Sequence, residues 1–204
     1  MGMSDVKSVT ITADVLAADP NGISVSAQVA NNAALVIGGA LASGGAVALN
    51  NARKITITSG GDDDGISFTV VGTDINGVAQ TESITGADSG AATGSKFFLS
   101  IASITAVGDP AGTIIAGISG DSSSIVFLGR SRLKGAFLTS TATAGTVEFL
   151  TTSTDGTSLM KISSVGDADA TRDVVVPENG VVFKEGIYIQ YTVSTFLTLT
   201  VFHA

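Results

Sequence analysis

The 204-residue chain has no cysteine, no tryptophan, two tyrosines, three prolines and a single histidine. Without cysteine there are no disulfides, thiolate zinc sites or cysteine nucleophiles, so packing alone must stabilise the fold. The lone histidine, His203, is the penultimate residue, where chain ends commonly fray. It leaves no material for a Ser-His-Asp set or a histidine-based metal site. Aromatic residues make up 5%, few platforms for stacking sugar rings. Charged residues are 14%, against ~25% in ordinary domains. The 10 Lys+Arg against 18 Asp+Glu leave a net charge of -8, which repels phosphate backbones, so nucleic acid is not expected as a partner. The first fifteen residues lack the basic and apolar segments of a signal peptide.

Hydroxyls replace the missing charge. The 23 Ser and 24 Thr, with 26 Ala and 25 Gly, favour strands, turns and close backbone approach over helices. Residues 33–49 (AALVIGGALASGGAVAL) carry no charge and approach the lower length limit of a membrane span. Two Gly-Gly pairs argue for a buried hairpin instead, so no membrane partner is expected. KITIT at 54–58 alternates with period two, SGGDDDG turns, and Ile66, Phe68 and Val70 resume the alternation, which reads as a hairpin. Asn76-Gly77 marks the next reversal, into a strand at 78–85. Further strands are expected at 97–107, 113–118, 133–140, 146–151, 159–163, 173–176, 186–192 and 196–202. SGDSSS at 119–124 reads as a linker. The expectation is an all-β chain of two antiparallel β-sandwich or barrel-like domains, residues 1–122 and 123–204, with little helix, a turn or two within 22–32 being the one exception.

Catalytic material is thin, and no enzyme is expected. GAATGSK at 90–96 has the glycines and lysine of a phosphate-binding loop at the wrong spacing. Ser95 and Lys96 would need a desolvated lysine to act as nucleophile and base, and adjacent strand residues point apart. Glu82, Asp88 and Asp109 offer carboxylates for glycoside cleavage only if the fold converges them. Asp62, Asp63 and Asp64, near Asp74 and Asn76, are dense enough to suggest calcium but do not fit the EF-hand loop. A solvated hairpin tip is the plainer reading, and no cofactor is expected. Arg130, Arg132 and Lys134 are spaced to share one strand face, either meeting an acidic neighbour or guarding a sheet edge.

LAADPNGIS at 16–24, ARKITITSGGDDDGISFTVVGTDINGVAQTESITG at 52–86 and FFLSIASITAVGDPAGTIIAGISG at 97–120 resemble recurrent virion-associated proteins of tailed bacteriophages. LKGAFL at 133–138, GTVEFLTTSTDGTSLMKI at 145–162, VVFKEGIYIQYTV at 181–193 and LTVFHA at 199–204 resemble a second small phage β-module. The resemblance implies a structural component of the virion, without catalytic residues, and leaves head and tail open. One expectation is a capsid decoration or cement protein on the capsid surface, a homotrimer bridging subunits of the major capsid protein. The others are a tail component, either a fibre adaptor or a tail-tip protein meeting a host receptor; a glycan-binding or glycan-cleaving module; and a β-rich domain unrelated to virions. Modest size and the lack of fibrous repeats or heptads favour the head. Candidate contacts are Val9 and Ile11 in an amino-terminal arm (4–16) able to add a strand to a neighbour, Leu35, Val36, Leu41, Val47 and Leu49 in the Gly/Ala hairpin, and Arg130, Arg132 and Lys134.

Overall fold

The computed structural model describes residues 5–12, 17–168, 170–176, 179–192 and 196–204, with 196 and 197 as backbone only. Residues 4 and 13–16 of the expected arm and Glu178 of an expected turn lie outside them. The protein is all-β, and no helix occurs among the described residues. The chain divides into two compact units, Ala17–Asp121, and Met1–Leu16 together with Ser122–Ala204.

Strand β1 (Lys7–Thr12) belongs to the second, outer unit. The inner unit follows, with β2 (Asp19–Gln28), β3 (Ala42–Ser43), β4 (Ala46–Arg53), β5 (Ile55–Ser59), β6 (Ser67–Thr73), β7 (Ala79–Thr85), β8 (Ala91–Thr93), β9 (Phe98–Val107) and β10 (Thr113–Ile118). These form two antiparallel sheets, β2-β10-β5-β8 and β3-β4-β9-β6-β7. Alternation puts one face of each inside, Ile55, Ile57 and Ile114 from the first against Phe68, Val70, Ile101 and Ile104 from the second. Asn76-Gly77 closes the β6–β7 hairpin, Gly77 taking φ 77° while Asp74 Oδ1 accepts from Asn76 N (2.8 Å) and Val78 N (2.9 Å).

Three expectations for this unit are corrected. Strands β5 and β6 are not a hairpin: β5 pairs with β10 and β8, β6 with β7 and β9, and residues 60–66 cross the ~10 Å between the sheets. Within 33–49 the hairpin is only β3–β4, turning at Gly44-Gly45 (φ 61° and 81°). Gly38 and Gly39 instead donate to Ile23 O, and Gly39 lies against the Gly22 backbone with no room for a Cβ. The helical turns allowed within 22–32 are largely strand β2, because pairing with β10 from Thr113↔Gln28 to Ile118↔Asp19 outweighs local preference.

The outer unit adds β11 (Ser123–Leu128), β12 (Ser131–Ser140), β13 (Ala144–Leu150), β14 (Ser158–Val165), β15 (Thr171–Val175), β16 (Val181–Phe183), β17 (Gly186–Tyr191) and β18 (Phe196–His203). One sheet runs β1-β18-β12-β15, with β16 also on β12, and the other β11-β17-β13-β14. Ile11, Leu138 and Leu199 from the first sheet meet Phe149, Ile187 and Ile189 from the second in its core. The expected boundaries therefore change: residues 1–16 belong with the carboxyl-terminal domain, because β1 pairs with β18 from Lys7↔His203 to Thr12↔Thr198. Ser123 and Ser124, read as linker, are buried in β11. His203 does not fray: it lies in β18 and is buried.

The two ends of the inner unit are neighbours. Asp19 pairs with Ile118, and Gly120 abuts Ala18, whose Cβ would stand 2.9 Å from a Cβ at Gly120. Buried Arg53 donates to Ser119 O, and Lys54 Nζ binds Asp121 Oδ2 at 2.8 Å, so the departing chain is clamped.

Candidate functional site

Loop 90–96 does present donors to an anion, but the anion is internal. Glu82 on β7 points inward, and its Oε1 accepts from Ser95 N (2.6 Å), Ser95 Oγ (2.8 Å) and Lys96 N (3.1 Å). Lys96 Nζ turns away to Thr81 O at 2.8 Å. Ser95 and Lys96 are thus not a nucleophile and base, and Glu82 is occupied while Asp88 and Asp109 are exposed.

Asp63 is no solvated tip. It is fully buried, and its Oδ1 accepts from Ala111 N at 2.7 Å, tying the 60–66 loop to the 108–112 loop. Asp62 bridges Asp88 through the backbone, and Asp62 and Asp64 are exposed. Among the described residues no group of three or more His, Asp or Glu side chains is placed to hold a metal ion.

In the outer unit Ser131 Oγ lies 3.1 Å from His203 Nδ1, and the imidazole packs on Phe127 with centroids 5.0 Å apart. Both Ser131 and His203 are buried, so this pair meets no substrate. Burial holds the imidazole below its ordinary 6.5, and the Lys7 charge acts the same way. A cleft of about 350 Å³ is lined by Ser122, Thr146, Glu148, Gln190, Tyr191 and Thr192. Lys161 Nζ donates to Glu148 Oε1 at 2.8 Å, and this bond, with a second from Ser158, holds the carboxyl below its usual range. The cleft is therefore a polar recess lined by hydroxyls, an amide and one carboxylate that its hydrogen bonds keep ionised.

The contact candidates separate by burial. Ile11, Leu35 and Val47 are core residues, so they cannot meet a partner. Val9, Leu41 and Leu49 are half-buried against the cores, and only Val36 is fully offered, at 77% exposed. Arg130 is exposed in the turn before β12, and Arg132 and Lys134 are half-buried on it. β12 is no guarded edge: it lies inside its sheet between β18 and β15/β16. Arg132 Nη1 donates to Asn179 O at 3.1 Å.

The strand register reveals two outer faces that sequence reading missed. Across β1-β18-β12-β15, one row is Thr12, Thr198, Thr139 and Thr171; the next is Thr10, Thr200, Phe137 and Asp173; a third is Ser8, Phe202, Gly135 and Val175. In the inner unit, the strands β3, β4, β9, β6 and β7 contain two charged residues, Arg53 and Glu82, both buried, so their outer face carries no charge. The alternation phase of LKGAFLTS and FLTLTVFH carried a signal for the first face; the bulge at Lys134 shifts that phase.

No protein-family model matches this chain, and no curated protein or solved structure matches it.

Proposed function

We propose that this chain is a non-enzymatic structural protein of a tailed-phage virion: a capsid decoration protein that binds the major capsid protein and stabilises the shell as a homotrimer on the capsid surface. The observation that carries the reading is the uncharged outer face of the β3-β4-β9-β6-β7 sheet. Charged groups are depleted at the centres of protein interfaces because each must shed its hydration on docking. A face of Ser, Thr, Ala, Val and Asn spanning five strands has little such cost, and the small side chains let a partner backbone approach. The residues behind the phage resemblance supply β5, β6, β7, β9 and β10 of this unit.

Copy number in purified particles, measured by quantitative mass spectrometry against the major capsid protein and the portal, tests the reading. Abundance tracking the major capsid protein supports shell decoration. Abundance tracking the portal would instead make the chain a tail component, and absence from particles would overturn both.

A further inference from the structure

Alternation on two neighbouring strands of the outer unit gathers polar side chains at one place. Val147 on β13 and Ile189 on β17 point into the core, so Thr146, Glu148 and Gln190 turn to the opposite face of the sheet. In the register Glu148 stands opposite both Gln190 and Lys161. Beside this row Tyr191 N donates to Ser122 O at 2.9 Å, and Thr146 N to Thr192 Oγ1 at 3.2 Å, which fixes the far wall of the cleft of about 350 Å³. Strand β13 lies between β17 and β14, so the floor is held by ladders on both sides, the kind of rigid support that keeps binding groups in place.

The chemistry of the lining selects a neutral, hydroxyl-rich ligand. Lys161 Nζ balances the Glu148 charge at 2.8 Å, so the cleft holds no uncompensated charge to select an ion. Among the described residues the Gln190 amide and the Thr146 and Ser122 hydroxyls have no hydrogen-bond partner. The Glu148 carboxylate has about four lone-pair sites, of which Lys161 and Ser158 use two. The amide and the hydroxyls both donate and accept, and the carboxylate accepts. Neighbouring hydroxyls on one ligand match such a set, whereas an apolar ligand would leave it unpaired. Tyr191 is 6% exposed and offers no open ring for stacking, so a sugar is gripped by its hydroxyl-bearing edge. The volume lies near the small end of the range for small-molecule sites, room for one ring.

We propose that this cleft binds one pyranose ring of a carbohydrate through its neighbouring hydroxyls, Glu148 accepting from them and Gln190, Thr146 and Ser122 completing the contacts. Neutral hydrogen bonds without stacking or ion pairing make a weak site with a fast off-rate, suited to a ligand presented in many copies. The inference uses no part of the proposed function and stands whether or not the protein resides in a virion.

Two-dimensional NMR of the nitrogen-labelled full chain tests it, with D-glucose, D-galactose, D-mannose and N-acetyl-D-glucosamine, and the methyl glycoside of each, titrated to about 50 mM. At least one sugar should shift the amide signals of Thr146, Glu148, Gln190 and Thr192 along saturating curves, with Kd on the order of 1–10 mM. A methyl glycoside that binds as well as its parent supports the site and identifies the ligand as a residue of a glycan; binding by the parent alone supports it and identifies a free sugar. Q190A and T146V, at side chains with no partner to lose, should each weaken binding roughly two- to tenfold. E148Q should weaken it further, because a charged acceptor is lost, and S83A in the inner unit should leave it unchanged. A dispersed spectrum establishes that each variant is folded. The proposal would be overturned by the absence of saturating shifts with every sugar, by the same shifts from glycerol or calcium chloride at equal concentration, or by an affinity indifferent to all three cleft substitutions.

Discussion

Glu82 Oε1 accepts hydrogen bonds from both the backbone N and the Oγ of Ser95, at 2.6 and 2.8 Å. The loop whose sequence approaches a phosphate-binding motif therefore closes on the protein's own carboxylate. Gly94 makes the approach possible, since a Cβ there would collide with Glu82 Oε2. Glu82→Ala should destabilise the inner unit by about 1.5–3 kcal/mol, the usual contribution of charge-assisted hydrogen bonds. Gly94→Ala should also destabilise it, and Glu82→Gln should cost less than Glu82→Ala. Denaturant unfolding measures all three.

The buried imidazole of His203 should make the outer unit acid-sensitive. Its folded pKa is depressed below 6.5, so as pH falls the unfolded chain takes up the proton first. The stabilisation is complete above the ordinary value of 6.5 and is lost as pH falls from there through the folded value. The melting temperature should therefore drop as pH falls below the ordinary histidine value of 6.5, and His203→Gln should flatten that part of the drop.

Removing residues 1–12 should damage the outer unit. The deletion strips β1 from β18 and opens the core at Ile11, which is 0% exposed. Ile11→Ala alone should cost about 2–5 kcal/mol. A calorimetric scan should show the outer unit's transition lowered and the inner unit's unchanged, since each has its own core. Loss of particle attachment after this truncation would for the same reason be no proof of an anchoring arm.

Residues 17–121 should fold when expressed alone. They contain both inner sheets and a complete core, and their ends meet at the Asp19–Ile118 pair. A cooperative melt with a β-sheet dichroism spectrum is the expected result. Residues 122–204, lacking β1, should melt far lower than the full chain.

Much of the strand inventory was legible because alternation is local. ITITS at 55–59 places its isoleucines inside with no reference to the rest of the chain, and Asn76-Gly77 announces its own turn through the φ that glycine tolerates. The candidate contacts were less legible, because an apolar residue in an uncharged segment reads alike whether it faces core or solvent. Val47 and Val36 lie in the same Gly/Ala stretch, one 1% and the other 77% exposed.

By itself, then, the sequence determined that this protein is built of strands, where most of them run, and that few groups able to do acid/base or metal chemistry exist. Period-two patterning and turn chemistry act within a few residues, so they survive without a fold. Only the tertiary structure decided that β5 and β6 enter different sheets, that β1 returns to β18, that Asp63 and His203 are buried, and that Phe202 and Val175 flank Gly135 on an open face. Those outcomes depend on which ladder hydrogen bonds form between residues far apart in the chain, and such pairing is settled by the global competition to bury both cores.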